Sequence, residues 1–116
     1  MSDHEKQVRS ARLEVNIEGT LMFRETSSTM RVMNISMGGI ALETKCSLLE
    51  GDHVQVQFKL PRDTLVPVEF WGAVRNAGYG RVGVQYDEIS RSDLARIEGF
   101  VRDCVLTQMK GVKECR

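Results

Sequence analysis

The sequence predicts a small antiparallel β-barrel or β-sandwich with one helix packed against it. Apolar and polar residues alternate along most of the chain, as at Val54, Val56 and Phe58, and this period of two is typical of half-buried strands. Only the segment after Ser90 changes to a helical period. Because the predicted strands follow one another without intervening helices, a parallel βαβ architecture is not expected.

The first predicted strands lie before a glycine-containing segment at residues 34–39. Leu13, Val15 and Ile17 alternate with polar residues, and Gly19 interrupts this pattern before the apolar run 20–23, where a meander is predicted to begin. Two shorter apolar pairs flank the segment 34–39, one leading into it and one leaving it: Met30 with Val32, and Ile40 with Leu42.

The clearest strand follows a turn-rich link at residues 48–52. It runs from Val54 to Leu60, and Pro61 ends it because proline cannot donate a hydrogen bond to a neighbouring strand. A further pair of strands is predicted at 66–74 and 81–86. The glycines between these two strands indicate a hairpin.

A single amphipathic helix of about four turns is predicted after Ser90. Ser90 and Ser92 are candidate N-caps, and Asp93 is placed early, where the helix dipole favours a negative charge. Gly99 weakens this helix by about 1 kcal/mol relative to alanine, so packing on the strands must hold it. One helical face carries the apolar residues Leu94, Ile97, Val101 and Val105.

Composition favours one compact domain and excludes several classes of protein. The chain has 116 residues, of which 41% are hydrophobic, and its 16 basic residues balance 16 acidic ones. Without a net positive charge, no overall field attracts a nucleic acid polymer or an anionic membrane. The N-terminus has no apolar signal region, and no segment approaches the roughly 20 apolar residues of a membrane span. We therefore expect a cytoplasmic protein without membrane insertion.

Cysteine and histidine usage gives no sign of a metal site or a disulfide framework. Cys46, Cys104 and Cys115 are odd in number and widely spaced, so reduced thiols are expected. His4 and His53 do not form a metal-binding pair with each other or with a cysteine cluster. No metal or other cofactor is predicted.

One segment matches a nucleotide-binding fingerprint by its spacing alone. Gly78, Gly80 and Gly83 fit GxGxxG, whose mechanism requires a helix to follow so that its N-terminus faces a pyrophosphate. Here a strand pattern follows, so a hairpin is the better interpretation. No GxSxG, P-loop or cysteine–histidine nucleophile occurs elsewhere, and the sequence does not predict an enzyme.

The segment NISMGG at residues 34–39 forms a recognisable motif, and arginines precede it in the chain. Asn34, Ser36 and Gly39 match a [D/N]xSxxG motif, and Arg9 and Arg12 stand upstream of it. A GxVxR-like segment at 72–75, GVQY at 83–86 and a closing helix follow in order. In these motifs and in their order, the chain resembles the PilZ domain family throughout its length.

The resemblance implies a mainly β fold, a small six-stranded antiparallel β-barrel with a C-terminal α-helix. It also implies a receptor for the bacterial second messenger cyclic diguanylate (cyclic di-GMP), with Asn34, Ser36 and Gly39 at the positions that contact the ligand. Gly38 and Gly39 are expected to allow positive φ and close backbone approach. Arginine suits this ligand because its guanidinium forms bidentate hydrogen bonds with phosphate or with the guanine edge.

The arginine spacing departs from the family pattern. The family has RxxxR with an apolar residue after the second arginine, and Leu13 after Arg12 satisfies that register. Val8 then stands where the first arginine belongs, while Arg9 is one position late and Lys6 two positions early. The loss of one charge-assisted contact would weaken binding by about ten- to a hundredfold.

Two functions from different classes follow from these observations. The first is a cyclic di-GMP sensor in which an N-terminal arm, residues 1–12, orders around the ligand and signals to an unidentified protein partner in motility, biofilm or related signalling. The second is a PilZ-like adaptor with weak or no ligand binding that acts by protein contact. The barrel and helix are expected at 13–110 and a frayed tail at 111–116. A general oligonucleotide binder is disfavoured, because aromatic residues are only 6% of the chain.

Overall fold

A computed structural model describes residues 11–78 and 80–109 of the chain. In this part the chain forms a closed barrel of antiparallel strands in the order β1-β2-β3-β6-β5-β4, followed by one helix. The six-stranded barrel with a C-terminal helix is therefore confirmed. Its elements are β1 (Arg12–Phe23), β2 (Thr26–Ser36), β3 (Gly39–Thr44), β4 (His53–Leu60), β5 (Asp63–Gly78), β6 (Arg81–Ile89) and α1 (Arg91–Met109).

The first strand is longer than the sequence pattern indicates, because Gly19 lies inside it. β1 continues from Arg12 to Phe23 and pairs with both β2 and β4. A Cβ atom at Gly19 would lie 2.6 Å from the backbone oxygen of Gln57 and 2.7 Å from Cε of Met30. Here the glycine does not end a strand. It permits the close approach of β1 to β4 that closes the barrel.

The turn between β1 and β2 has no sequence signal of the usual kind. Arg24 and Glu25 both adopt positive φ, at 50° and 68°. Two consecutive residues of this conformation form the tight hairpin turn for which Asn-Gly is the common choice. In contrast, the predicted hairpin at 76–80 is confirmed: β5 ends at Gly78, β6 begins at Arg81, and a strand rather than a helix follows the GxGxxG spacing.

The core lies inside the barrel and beneath the helix. Alternate residues of every strand point inward, and Leu21, Val32 and Leu42 are fully buried. Ile97 and Val101 of α1 are also fully buried, which confirms the apolar helix face that the sequence predicts. Burial of such side chains is the main favourable term for folding, at about 1.5–3 kcal/mol for each large aliphatic residue.

The helix begins as the sequence predicts, with Ser90 as its cap. The backbone N–H of Asp93 donates to Oγ of Ser90 at 3.0 Å, whereas Ser92 lies within the first turn. In the described parts of the chain, no helix is long and apolar enough to cross a membrane.

Gly19→Ala should destabilise the barrel by about 1–3 kcal/mol, because the added methyl group has no space between β1 and β4. Gly78→Ala is the matched control, since a Cβ atom at Gly78 meets nothing within 4 Å. Urea denaturation of both variants measures the difference. Equal stability of the two variants would show that the approach of β1 to β4 does not require glycine.

Candidate ligand site at the β2–β3 turn

The NISMGG segment forms the turn between two neighbouring strands of the barrel. β2 ends at Ser36 and β3 begins at Gly39, with Met37 and Gly38 between them. Ile35 is fully buried, so the side chains of Asn34 and Ser36 on either side of it lie on the outer face. The structure thus brings the two polar motif residues together at one end of the barrel.

Three hydrogen bonds hold this turn, and two of them come from β6. Ser36 Oγ donates to the carbonyl oxygen of Gly39 at 3.0 Å. Tyr86 donates its hydroxyl to the carbonyl oxygen of Ser36 at 2.9 Å and its backbone N–H to that of Gly38 at 3.1 Å. The Tyr86 ring meets Phe70 edge-on, with centroids 4.8 Å apart. The turn is therefore connected directly to the aromatic core.

The Tyr86 phenol is a stable donor because its surroundings keep it neutral. Burial raises the pKa of Tyr86 well above its ordinary value, since the phenolate would lose hydration. The hydroxyl therefore remains protonated at physiological pH.

The two glycines of the turn have different roles, and one expectation about them is wrong. Neither has positive φ, because among the described residues the glycines with positive φ are Gly51 and Gly80. Gly39 approaches a neighbouring strand closely, because a Cβ atom there would lie 2.1 Å from the carbonyl oxygen of Val84. That approach joins β3 to β6 and is internal to the barrel. A Cβ atom at Gly38 would meet none of the described residues within 4 Å, so none of them fills the space beside Gly38.

Arg12 lies beside the turn because of the register between β1 and β2. It is the first residue of β1, is exposed, and stands opposite Ser36, while Glu14 stands opposite Asn34. The structure thus places Arg12 in the strand itself, where the sequence alone assigned it to the end of the N-terminal arm. Arg9 and the rest of that predicted arm, apart from Ala11, lie outside the described residues.

A shallow floor of small residues extends from the turn across the outer face. Strand pairing places Asn34 beside Ala41, Ala41 beside Gly83, and Gly83 beside Asn76. The Asn76 side chain lies over Gly83, where an added Cβ atom would come within 2.8 Å of its Nδ2. The Asn76 carboxamide thus covers Gly83, and Ala41 is the small residue between it and Asn34.

A second guanidinium lies on the same face. Arg75 follows the buried Val74 on β5, and its Nε–H donates to Oε1 of Gln85 at 2.5 Å. Gln85 in turn pairs with Gly39 across β3 and β6. The terminal nitrogens of Arg75 have no hydrogen-bond partner among the described residues, so they can donate to a ligand.

Sequence reasoning assigned none of the β5 and β6 residues to this site. Arg75, Gln85 and Tyr86 lie in the segments 72–75 and 83–86, which were recognised as features of a family but not as neighbours of the turn. The alternation of each strand predicts that the side chains of Arg75 and Gln85 point outward. Only the pairing of β3 with β6 shows that they face the same region as Gly39.

The site has the chemistry of an anion-binding surface without a metal. Guanidinium groups on opposite sides of a small-residue floor can form bidentate hydrogen bonds with phosphate or purine edges. Within residues 11–78 and 80–109, no three His, Cys, Asp or Glu side chains are placed to hold a metal ion. Cys46 and Cys104 form no disulfide bond within the described residues, and Cys115 lies outside them.

Comparison with protein families identifies the domain. The profile of the PilZ domain matches residues 6–103, which include Arg9, Arg12 and the complete β2–β3 turn. The chain belongs to the PilZ domain family. No curated protein sequence is similar enough to this PilZ domain to count as a relative.

Solved structures share the barrel at low sequence identity. The Bacillus subtilis inhibitor of motility MotI/DgrA superposes with a TM-score of 0.72 at 19% identity, over 85% of this chain and 50% of that one. The PilZ domain of CeSA from a cellulose-synthesising bacterium gives 0.62 at 18% identity, over 79% of this chain and 95% of that domain. PlzA of Borreliella burgdorferi, solved in complex with cyclic di-GMP, gives 0.61 at 11% identity, over 75% of this chain and 38% of that one. This PilZ chain thus spans about half the length of MotI/DgrA, and the three superpositions show a shared fold alone.

Tyr86→Phe should change how stability depends on alkaline pH. Because the folded pKa of Tyr86 is raised, its contribution is fully present below the unfolded pKa of about 10 and decreases as pH rises above that value. Phenylalanine cannot ionise, so the variant should lose this part of the alkaline destabilisation. Urea denaturation from pH 8 to pH 11 measures it, and identical pH slopes for the two proteins would contradict the buried phenol.

Proposed function

We propose that this PilZ domain is a receptor for cyclic di-GMP that binds the ligand on the outer face of the barrel beside the β2–β3 turn. The observation that carries the proposal is the register that sets Arg12 opposite Ser36. It brings a guanidinium without a described partner to the edge of the turn. Structural similarity to PlzA, whose solved complex contains cyclic di-GMP, supports the choice of ligand.

Each part of the ligand has a matching group on this face. Arg12 supplies a fork for a phosphate or a guanine edge, and Asn34 supplies a carboxamide with both donors and an acceptor. The small side chain of Ala41 leaves room for a purine ring beside Asn34, and Arg75 lies two strands further along, on β5. Arg9, Ser36, Gly38 and Gly39 complete the proposed ligand contacts, with Arg9 contributed by the preceding arm.

The proposed output is a change in the position of the N-terminal arm. A ligand held by both the turn and Arg9 would fix residues 1–11 relative to the barrel, and this would alter the surface offered to a protein partner. Partners in motility or surface behaviour are supported by the similarity to a protein described as an inhibitor of motility.

One observation favours the adaptor function, in which ligand binding is weak or absent. Glu14 is exposed and stands opposite Asn34, so a carboxylate lies beside the proposed position of a dianionic ligand. Like charges disfavour binding. Together with the RxxR spacing of Arg9 and Arg12, Glu14 supports a function through protein contact alone.

Calorimetric titration of the full chain with cyclic di-GMP distinguishes the two functions. The receptor should give a binding isotherm and a raised melting temperature, because only the folded state has the site. Cyclic di-AMP is the control ligand, since it has the same phosphates but lacks the O6 acceptor and the 2-amino group of guanine. Absence of both heat and thermal shift at high micromolar cyclic di-GMP would leave the adaptor.

Arg12→Ala should weaken cyclic di-GMP binding by about thirtyfold, equivalent to about 2 kcal/mol, through loss of a charge-assisted contact. Its effect on the free energy of unfolding should be small, because the side chain is exposed. Arg102→Ala is the matched control, since Arg102 is an exposed helix residue. Equal affinity of both variants, measured by calorimetry in the same salt, would show that Arg12 does not contact the ligand.

Val8→Arg should tighten binding by up to about tenfold, because it restores the RxxxR spacing and adds one charged contact. Arg9→Ala reports the register of the arm. A loss as large as that of Arg12→Ala would show that Arg9 occupies the first-arginine position and that the assignment of Val8 to it is wrong. Titration of both variants beside the parent chain makes the comparison.

A further inference from the structure

The tip of the β4–β5 hairpin, residues 61–67, presents two apolar side chains to solvent. Leu65 is 93% exposed and Val66 is 61% exposed. The only two prolines of the chain, Pro61 and Pro67, stand at the two ends of this tip. Proline restricts the backbone, so the tip loses less conformational entropy when it binds than a flexible loop would.

One arginine of the helix fixes the tip in place. Arg96 Nε–H donates to Oδ2 of Asp63 at 2.7 Å, and its terminal nitrogens donate to the backbone oxygens of Asp63, Val66 and Pro67. Arg96 also forms an ion pair with Asp93 at 3.0 Å. The most exposed leucine of the described chain is thus carried on a rigid support, although it makes little contact with the rest of the molecule.

A cleft of about 260 Å³ lies beside this support, between the tip and α1. Leu60 and Phe100 contribute apolar walls, and Gly99 lines it from the helix. A Cβ atom at Gly99 would meet nothing within 4 Å in the described part of the chain, so no contact there requires glycine. Glycine lowers helix stability relative to alanine, and its effect at this position is to keep the cleft open.

We propose that the tip and the cleft form a symmetric contact between two copies of this chain, with Leu65 of each copy inserted into the cleft of the other. A two-fold interface requires both complementary surfaces on the same patch of each copy. This condition is met, because Asp63 and Arg96 belong to the cleft lining and also fix the tip.

The charges of the patch also suit a second copy of the chain. The cleft lining contains Arg62 and Arg96 together with Asp63 and Asp103, so the two signs balance. A patch of balanced charge can face its own copy without net repulsion, whereas a patch of one sign cannot. The formal net charge of the whole chain is also zero, which favours self-association.

Sedimentation velocity of the full chain over a concentration series tests this contact, with a reducing agent present and without cyclic di-GMP. Leu65→Ser should weaken the dimer by about a hundredfold, because two leucines leave the interface and each contributes about tenfold. Leu49→Ser is the matched control, since Leu49 is 74% exposed on a different loop. Its dimerisation should equal that of the parent chain.

Gly99→Met separates association from folding, because methionine favours helix and extends into the cleft. It should abolish the dimer while leaving the melting temperature of the monomer unchanged or raised. A lowered melting temperature would contradict the open cleft. The proposal is also overturned by a parent chain that is monomeric at every concentration, by a dimer that Leu65→Ser and Gly99→Met leave intact, or by an equal loss with Leu49→Ser.

Discussion

The contact of β3 with β6 is the constraint on which the candidate site depends. These strands are distant in sequence, and their pairing helps to close the barrel. Gly39 lies on this seam with its Cα so close to Val84 that a side chain cannot fit. From the same seam, Tyr86 donates hydrogen bonds to the carbonyl oxygens of Ser36 and Gly38. Together with the bond from Ser36 Oγ to the carbonyl oxygen of Gly39, these contacts hold the turn and leave the outward carboxamide of Asn34 available for a ligand.

The residues that stabilise the fold differ from those that form the candidate site. The barrel is stabilised by buried aliphatic residues, while Arg12 and Arg75 lie exposed on its outer face. Exposed charges contribute about 0–1 kcal/mol to stability, so folding gains little from Arg12 beside the turn or from Arg75 beside Gln85. Their exposure permits recognition of a phosphate or a purine edge, and it should make binding sensitive to salt.

Local sequence patterns predicted the secondary-structure elements better than they predicted which elements lie next to each other. Alternation of apolar residues identified the strands, Ser90 marked the helix start, and the spacing of Asn34, Ser36 and Gly39 identified the turn. The prediction that Gly19 interrupts the first strand was wrong, because its role depends on the approach of a strand distant in sequence. The Arg24–Glu25 turn was not predicted, because these residues rarely adopt positive φ.

The composition of the candidate site was predicted only in part, for a related reason. Arg12 and the turn lie on the neighbouring strands β1 and β2, and the family resemblance was enough to associate them. Arg75 and Gln85 reach the same face only through barrel closure, which a single sequence does not specify. The positive φ expected for the motif glycines was wrong because strand proximity at Gly39 requires the small residue.

The most direct test of the proposed site is a titration of the isotopically labelled chain with cyclic di-GMP, followed by amide NMR shifts. The largest shifts should fall at Arg12, at residues 36–39 and at residues 83–85, which surround the open space beside the turn. Such a cluster would support a ligand on the outer face at the seam of β3 and β6. Absence of shifts, or shifts centred on the β4–β5 tip and Gly99, would contradict the account.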